Sequence, residues 1–247
     1  MINTYNESSL HRTIKSYYAS LYEGAVEVEK DGHILDILAG DNHVIEIQNL
    51  NLSKLTGKIS HLLENHYKVT LVHTIPVERY IENYNKEGDL ISRKKSPKKQ
   101  SIYDLFRELT GIYPLLLNKN FELHVLEIKM TEIRIKEGEL VQSQNNRRRF
   151  RKDYIKSNKK LDEIIKTHIF KTADNYLSLI PDNLKNSFCA KDLKIHLETN
   201  KLTKANADRN AHLLIWVLLR MELIEYTETK NRSRYYRISS SNNFSSK

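Results

Sequence analysis

The sequence predicts an α/β protein in which helices flank a mixed sheet, followed by a smaller, mostly α domain. Three observations predict it. The first third of the chain reads helix, strand–turn–strand, helix, strand, an order that folds as an α/β layer. Around residues 137–160 the composition turns polar and then basic, the mark of a domain junction. The last third reads as three helices closed by a β-hairpin. The expected organisation is a first domain over 1–140, a basic linker over 141–160, a second domain over 161–238 and a disordered polar tail over 239–247.

Each element has its own pattern. Leu10, Ile14, Tyr17, Tyr18 and Leu21 recur near the helical period, so residues 6–21 read as an amphipathic helix capped by Asn6 or Ser8. Residues 25–29 alternate. Residues 33–38 (HILDIL) and 43–48 (HVIEIQ) then flank Ala39-Gly40-Asp41-Asn42, a strand, tight turn and strand. Leu55, Ile59, Leu62 and Leu63 line one side of a helix over 52–65. Residues 69–75 form an apolar run expected to be a buried strand that Pro76 ends. Apolar content falls over 83–100, where Arg93-Lys94-Lys95-Ser96-Pro97-Lys98-Lys99 reads as an exposed basic loop. A short helix over 102–109 and a strand or hairpin over 121–135 complete the first domain. In the second, Ile164, Ile165, Ile169 and Leu177 mark a first helix, residues 190–197 a second and 204–221 a third. Residues 223–226 and 234–238 then flank the hairpin tip over 228–233.

Composition bounds the function. Among 247 residues, 40 Lys+Arg oppose 31 Asp+Glu, a net charge of +9, which favours an anionic partner, most often nucleic acid. Codon bias in an AT-rich genome also enriches Lys, so the Arg clusters carry more of this inference. A single cysteine, Cys189, excludes an internal disulfide and argues against a Cys-based zinc site. No apolar run approaches the ~20 residues needed to span a bilayer, and the first residues lack a signal-peptide layout. A reducing cytoplasm is the expected compartment.

The helix–helix–helix–hairpin order of the second domain resembles winged helix-turn-helix domains, in which the third helix presents a polar front to DNA and an apolar back to its own core. Here Leu213, Leu214, Trp216, Val217 and Leu218 suit the back, and Lys204, Asn206, Arg209, Asn210 and His212 the front. Asn and Arg suit base edges and Lys suits phosphate. Lys230, Arg232 and Arg234 at the hairpin tip would follow the backbone. Protein contacts are the alternative use of such a domain.

In the first domain, Asp36 and Glu46 stand in otherwise apolar strands. An acid there must be exposed, paired or metal-bound. The tight turn places Asp36 opposite Glu46, and period two puts Glu46 and Gln48 on one face. Two convergent carboxylates suit Mg²⁺, whose remaining positions water fills. Such an ion lowers the pKa of bound water and offsets charge on a phosphodiester. A solvated polar hairpin face is the alternative reading. His33, His43, His61, His66 and His73 do not have ligand spacing; surface or packed roles fit them better, and a core role fits His73.

These residues resemble the PD-(D/E)XK nuclease superfamily, whose restriction-endonuclease-like core is a helix, an acid-bearing β-hairpin, a helix and a strand. The resemblance covers about residues 6–76. It implies that Asp36 is the first acid and that Glu46-Ile47-Gln48 is the second motif. Leu35 stands where the motif's name has Pro, and Gln48 where Lys is usual. Some members bring a lysine from the following helix, which makes Lys58 the candidate substitute, one turn on from Lys54. Glu7 matches an extra acid of some members and equally a charge favoured in a helix's first turn. The whole chain also resembles uncharacterised bacterial proteins that join this domain to a winged helix.

The resulting expectation is a DNA-binding, Mg²⁺- or Mn²⁺-dependent endonuclease. Asp36 and Glu46 would hold the metal, and Gln48 or Lys58 would orient water or stabilise charge. Arg93, Lys94, Lys95, Lys98, Lys99, Arg147, Arg148 and Arg149 would draw in a duplex or serve as solvated loops. A homodimer would suit double-strand cleavage. A non-catalytic DNA-binding or regulatory protein on the same scaffold is the rival, favoured by Gln48, and a protein–protein adaptor is a third reading.

Overall fold

In the computed structural model, which describes residues 8–143, 146, 148–200 and 202–239, helix α1 (Ser9–Leu21) begins where the Ser8 side chain accepts the backbone N–H of His11 at 3.4 Å. Its buried side holds Leu10, Ile14 and Tyr18 of the stripe read from the sequence, while Tyr17 and Leu21 are exposed. Strands β1 (Ala25–Lys30), β2 (His33–Ala39) and β3 (His43–Ile47) form a meander. A 3-10 turn over Leu52–Leu55 leads into α2 (Thr56–Glu64), which crosses to β4 (Lys68–Tyr84), parallel to β3. A hairpin returns as β5 (Leu90–Lys95), and α3 (Leu105–Leu109) follows. The long strands β6 (Phe121–Val141), parallel to β4, and β7 (Lys152–Phe170), antiparallel to β6, complete the sheet.

Among the described residues these seven strands form one mixed sheet in the order β1-β2-β3-β4-β6-β7, with β5 on β4. Helices flank it. Val44, Val69, Leu71, Leu123 and Val125 pack with Ile59 and Leu62 of α2 and Phe106 of α3. Ile45, Ile47, Val72, Leu126, Ile128 and Met130 pack with Leu10, Ile14 and Tyr18 of α1. Alternation along each strand delivers one set of side chains to each helix layer.

Three expectations change. Pro76 does not end β4: the strand runs on to Tyr84, with the register shifting between Pro76 and Glu78. A bulge is where a strand tolerates a residue that has no N–H to donate. The basic loop over 93–99 is half strand, since Arg93, Lys94 and Lys95 belong to β5. The linker over 141–160 and the helix expected from 161 also give way, because residues 152–170 are strand β7 and only α4 (Ala173–Leu177) is helical. The open edge of β6 leaves a long row of backbone groups to satisfy, and pairing them outweighs the weak helical spacing of Ile164, Ile165 and Ile169. The first structural unit therefore reaches Phe170.

The remaining chain forms β8 (Phe188–Cys189), α5 (Ala190–Thr199), α6 (Lys204–Arg220), β9 (Ile224–Lys230) and β10 (Ser233–Ile238), with a three-stranded sheet in the order β8-β10-β9. Thr203 caps α6. Asn231 and Arg232 both take positive φ, as the two central residues of a type I′ hairpin turn must. Leu193, Leu197, Ala207, Ala211, Leu214 and Leu218 pack in the same apolar cluster as α2 and α3, so the two units share a core. Most of the tail expected over 239–247 lies outside the described residues.

Candidate functional site: an acid pair in a strand fork

The β2–β3 ladder pairs Ala39 with His43, Leu38 with Val44 and Ile37 with Ile45, around a turn containing Gly40 at positive φ. Continuing this register brings Asp36 to Glu46, as the sequence predicts. At this point side chains replace the ladder. Glu46 Oε1 accepts the Asp36 N–H at 3.2 Å, and Asp36 Oδ2 accepts the Ile47 N–H at 2.8 Å. Each carboxylate thus lies across the other strand's backbone, at the fork where β2 and β3 part.

Lys58 enters this fork from α2. Its Nζ donates to Glu46 Oε1 and to the Ile34 carbonyl, both at 2.6 Å. The lysine proposed from the following helix is therefore the one that reaches the second acid. From α1, His11 Nε2 stands 3.8 Å from Asp36 Oδ2. Buried Lys15, one turn further on, pairs with Glu27 at 3.0 Å. The sequence reading missed His11 and Lys15. Their signal was the i, i+4 spacing of two basic residues on the helix preceding the hairpin.

The two acids have opposite electrostatics. Burial, then the Asp36 charge, push the Glu46 carboxyl up to about 7, against the pull of Lys58 and of the Asp36 N–H. Burial also opposes ionisation of Asp36. However, the His11 ring, the Ile47 N–H and the Lys15 charge together outweigh it and hold Asp36 below the ordinary carboxylate range. Near neutrality Asp36 is an anion while Glu46 exchanges a proton. Paired carboxyls driven apart in this way can divide acid and base roles. Glu46 is 2 % exposed. The Asp36 side chain is more open at 24 % and gives solvent its access to the fork.

Other predicted residues lie elsewhere. The Gln48 amide turns onto the following loop, donating to the Leu50 carbonyl at 2.6 Å, where a neutral donor is better satisfied than beside the Lys58 ammonium. Its backbone carbonyl accepts from His73 Nδ1 at 2.8 Å, and His73 is a packed core histidine. Glu7 and Arg147 lie outside the described residues. His33 and His61 meet edge to face at 5.3 Å. No group of three or more His, Cys, Asp or Glu among the described residues is arranged to hold a metal ion.

The basic residues divide. Arg93, Lys94, Lys95, Lys98 and Lys99 are exposed, with Arg93 over the Tyr80 ring at 4.5 Å and Lys95 paired to Glu78. Arg148 donates to the Tyr154 carbonyl at 3.0 Å and lies over that ring, and Arg149 lies over Phe150. Lys204 is exposed in the first turn of α6; Lys230, Arg232 and Arg234 are exposed at the hairpin tip. Asn210 is a correction, and Arg209 is partly engaged. Asp104 Oδ1 accepts from Arg209 at 2.8 Å and from fully buried Asn210 at 3.2 Å. Both side chains join α6 to the first unit; buried Asn210 is not presented to a groove, whereas the Arg209 side chain stays 42 % exposed. Trp216 meets Tyr113 edge to face at 5.5 Å across the same junction.

Fold and site define an α/β protein with a large mixed sheet, helices on both faces and a paired-acid fork at the end of β3. The chain belongs to the family described as Domain of unknown function (DUF8091), which matches residues 8–171, the span from α1 to β7. It is 30% identical over 192 residues to a Treponema pallidum (strain Nichols) protein named "Uncharacterized protein", covering 78% of this chain and 73% of that one. No solved structure matches the chain. Among the described residues no helix is long and apolar enough to cross a membrane.

Proposed function

We propose that this protein binds nucleic acid and hydrolyses phosphodiester bonds with a divalent cation at the Asp36–Glu46 fork. In this reading the first unit is a PD-(D/E)XK-like domain and the last third a winged helix. The observation that carries it is the convergence of Asp36, Glu46 and Lys58, two acids and a lysine contributed by a hairpin and the helix after it.

The donor set fits Mg²⁺ or Mn²⁺. Asp36 Oδ1 and Glu46 Oε2 carry no hydrogen bond among the described residues, so each hard carboxylate keeps one oxygen for an ion that retains most of its water. Asp36 and Glu46 would hold it, and it would supply an activated water and charge neutralisation at phosphorus. Lys58 replaces the usual lysine of the motif. Its Nζ, held by the Ile34 carbonyl, is placed to offset charge on a phosphoryl oxygen. Asp36 stays ionised beside the His11 ring and the Ile47 N–H, and Glu46 can exchange a proton near pH 7. The exposed tip residues Lys230, Arg232 and Arg234 and the β5 cations would hold the backbone of duplex DNA.

The test is nicking of supercoiled plasmid in Mg²⁺ or Mn²⁺ by wild type, Asp36→Ala and Glu46→Ala. Wild-type nicking that falls at least about 10³-fold in each variant, ~4 kcal/mol of transition-state stabilisation, is the expected result. Equal rates in all three would leave the second reading, a non-catalytic nucleic-acid-binding scaffold. That reading is favoured by the ion pair that already occupies Glu46 Oε1.

A further inference from the structure

Beyond the fork, β4, β6 and β7 run on as a long sheet. On the face covered by α1 the ladder sets Arg79 beside Met130 and Leu161, then Glu132 beside Lys159, then Arg134 beside Lys156. Met130 and Leu161 belong to the apolar layer under α1, so this column continues the same face past the layer's edge. The α1 N-terminus lies against it, with the Ser9 N–H donating to Asn158 at 2.9 Å.

Four cations therefore surround one acid. Glu132, 1 % exposed, accepts from Arg134 at 2.6 Å and from Lys156 at 2.8 Å, which satisfies those two. Among the described residues neither the Arg79 nor the Lys159 side chain makes a hydrogen bond or ion pair, and Lys159 shares the Glu132 charge with Arg134 and Lys156. Arg79 Nε is buried with no partner at all. Burial, then the charges of Lys156 and Arg79, depress the proton affinity of Lys159 against the pull of Glu132. A half-buried excess of positive charge is costly unless an anion completes it.

We propose that Arg79 and Lys159, flanked by Arg134 and Lys156, form a seat for a backbone phosphate of a nucleic-acid strand. The choice of nucleic acid rests on the function proposed above. Ile47 at the fork pairs with Val72, and from Val72 to Arg79, with one residue taken up by the bulge between Pro76 and Glu78, strand β4 advances roughly 20 Å at ~3.3 Å per residue. The seat lies on the α1 face, the side from which His11 approaches Asp36, whereas Glu46 faces α2.

The test uses the full chain in EDTA with a fluorescein-labelled duplex, read by anisotropy across a salt series. Arg79→Gln/Lys159→Gln should weaken binding about tenfold at 0.1 M salt. It should also flatten the slope of log K against log [salt] by between about 1 and 2. Arg79→Lys/Lys159→Arg, which keeps both charges, should restore the slope. An unchanged slope in a variant with wild-type melting temperature overturns the seat, as does a wild type that binds no duplex. If the double variant melts early, Lys159→Gln alone must flatten the slope by about 1, or the seat is refuted. Inorganic phosphate, titrated calorimetrically, separates the sources. Tight phosphate binding lost in the variant, with an unchanged DNA slope, would assign the seat to free phosphate and overturn the nucleic-acid form. A slope change without plasmid nicking keeps the seat and removes the nuclease. Nicking with no slope change does the reverse.

Discussion

Glu46→Gln should stabilise the protein at neutral and alkaline pH by about 3 kcal/mol and by about 1 kcal/mol or less at pH 5. Burial and the adjacent Asp36 charge lift the folded-state carboxyl from the ordinary 4.5 to about 7. A tenfold change in proton affinity is worth ~1.4 kcal/mol, so ionising Glu46 costs the folded state on the order of 3 kcal/mol relative to the unfolded chain. The group's folded-state pKa is raised, so its contribution to stability is fully present below about pH 4.5. It is lost as pH rises to about 7, and no more is lost above that. Asp36, whose pKa is depressed, contributes above its ordinary pKa and loses that contribution only as pH falls through the acid range, outside this window. Glutamine keeps the shape of the neutral acid and cannot ionise. Urea unfolding of wild type and variant at pH 5, 7 and 8.5 in EDTA should therefore show a difference that grows from about 1 kcal/mol or less at pH 5 to about 3 kcal/mol at pH 7 and above. The accompanying gain in Tm at pH 8.5 should be roughly 5–10 °C for a chain of this size. Parallel curves from pH 5 to 8.5 would refute the claim that burial in the fork holds a proton on Glu46.

Two further substitutions probe the supports of the site. Asp104→Ala removes the shared acceptor of Arg209 and buried Asn210 and the cap that receives the Ser101 N–H, so about 2 kcal/mol should be lost in chemical unfolding. An unchanged Tm would show that the α6 junction does not depend on it. Gly111→Ala would bring a Cβ to 2.4 Å from Ser53 Cβ and 3.2 Å from its Cα, in the segment leading to α2. About 1–3 kcal/mol of destabilisation is expected, and wild-type stability would contradict it; if the proposed nuclease reading holds, nicking also slows, because Lys58 rides on that segment.

The acid pair was legible because the register of a tight hairpin is a local property. Once Gly40 turns the chain, Asp36 must meet Glu46. Lys58 was half legible, since helical spacing placed it one turn beyond Lys54 but not over the fork. Gln48 misled because the motif fixes its place in the chain, while the carbonyls of the next loop claim its amide. Arg209 and Asn210 have the chemistry of base readers. Their partner, Asp104, lies in a different unit and leaves no local trace in the sequence.

By itself the sequence determined what short-range forces settle: the helical stripe of α1, the β2–β3 hairpin, α2, and the α5, α6 and terminal hairpin series, each written in periodicity and turn residues. The tertiary structure decided what long-range pairing settles. Strand β7 exists because the edge of β6 supplies partners for a polar, lysine-rich segment whose own pattern specifies nothing. β4 passes Pro76 because β6 continues alongside it. The proton on Glu46 depends on burial, which only the assembled layers of helix and sheet create.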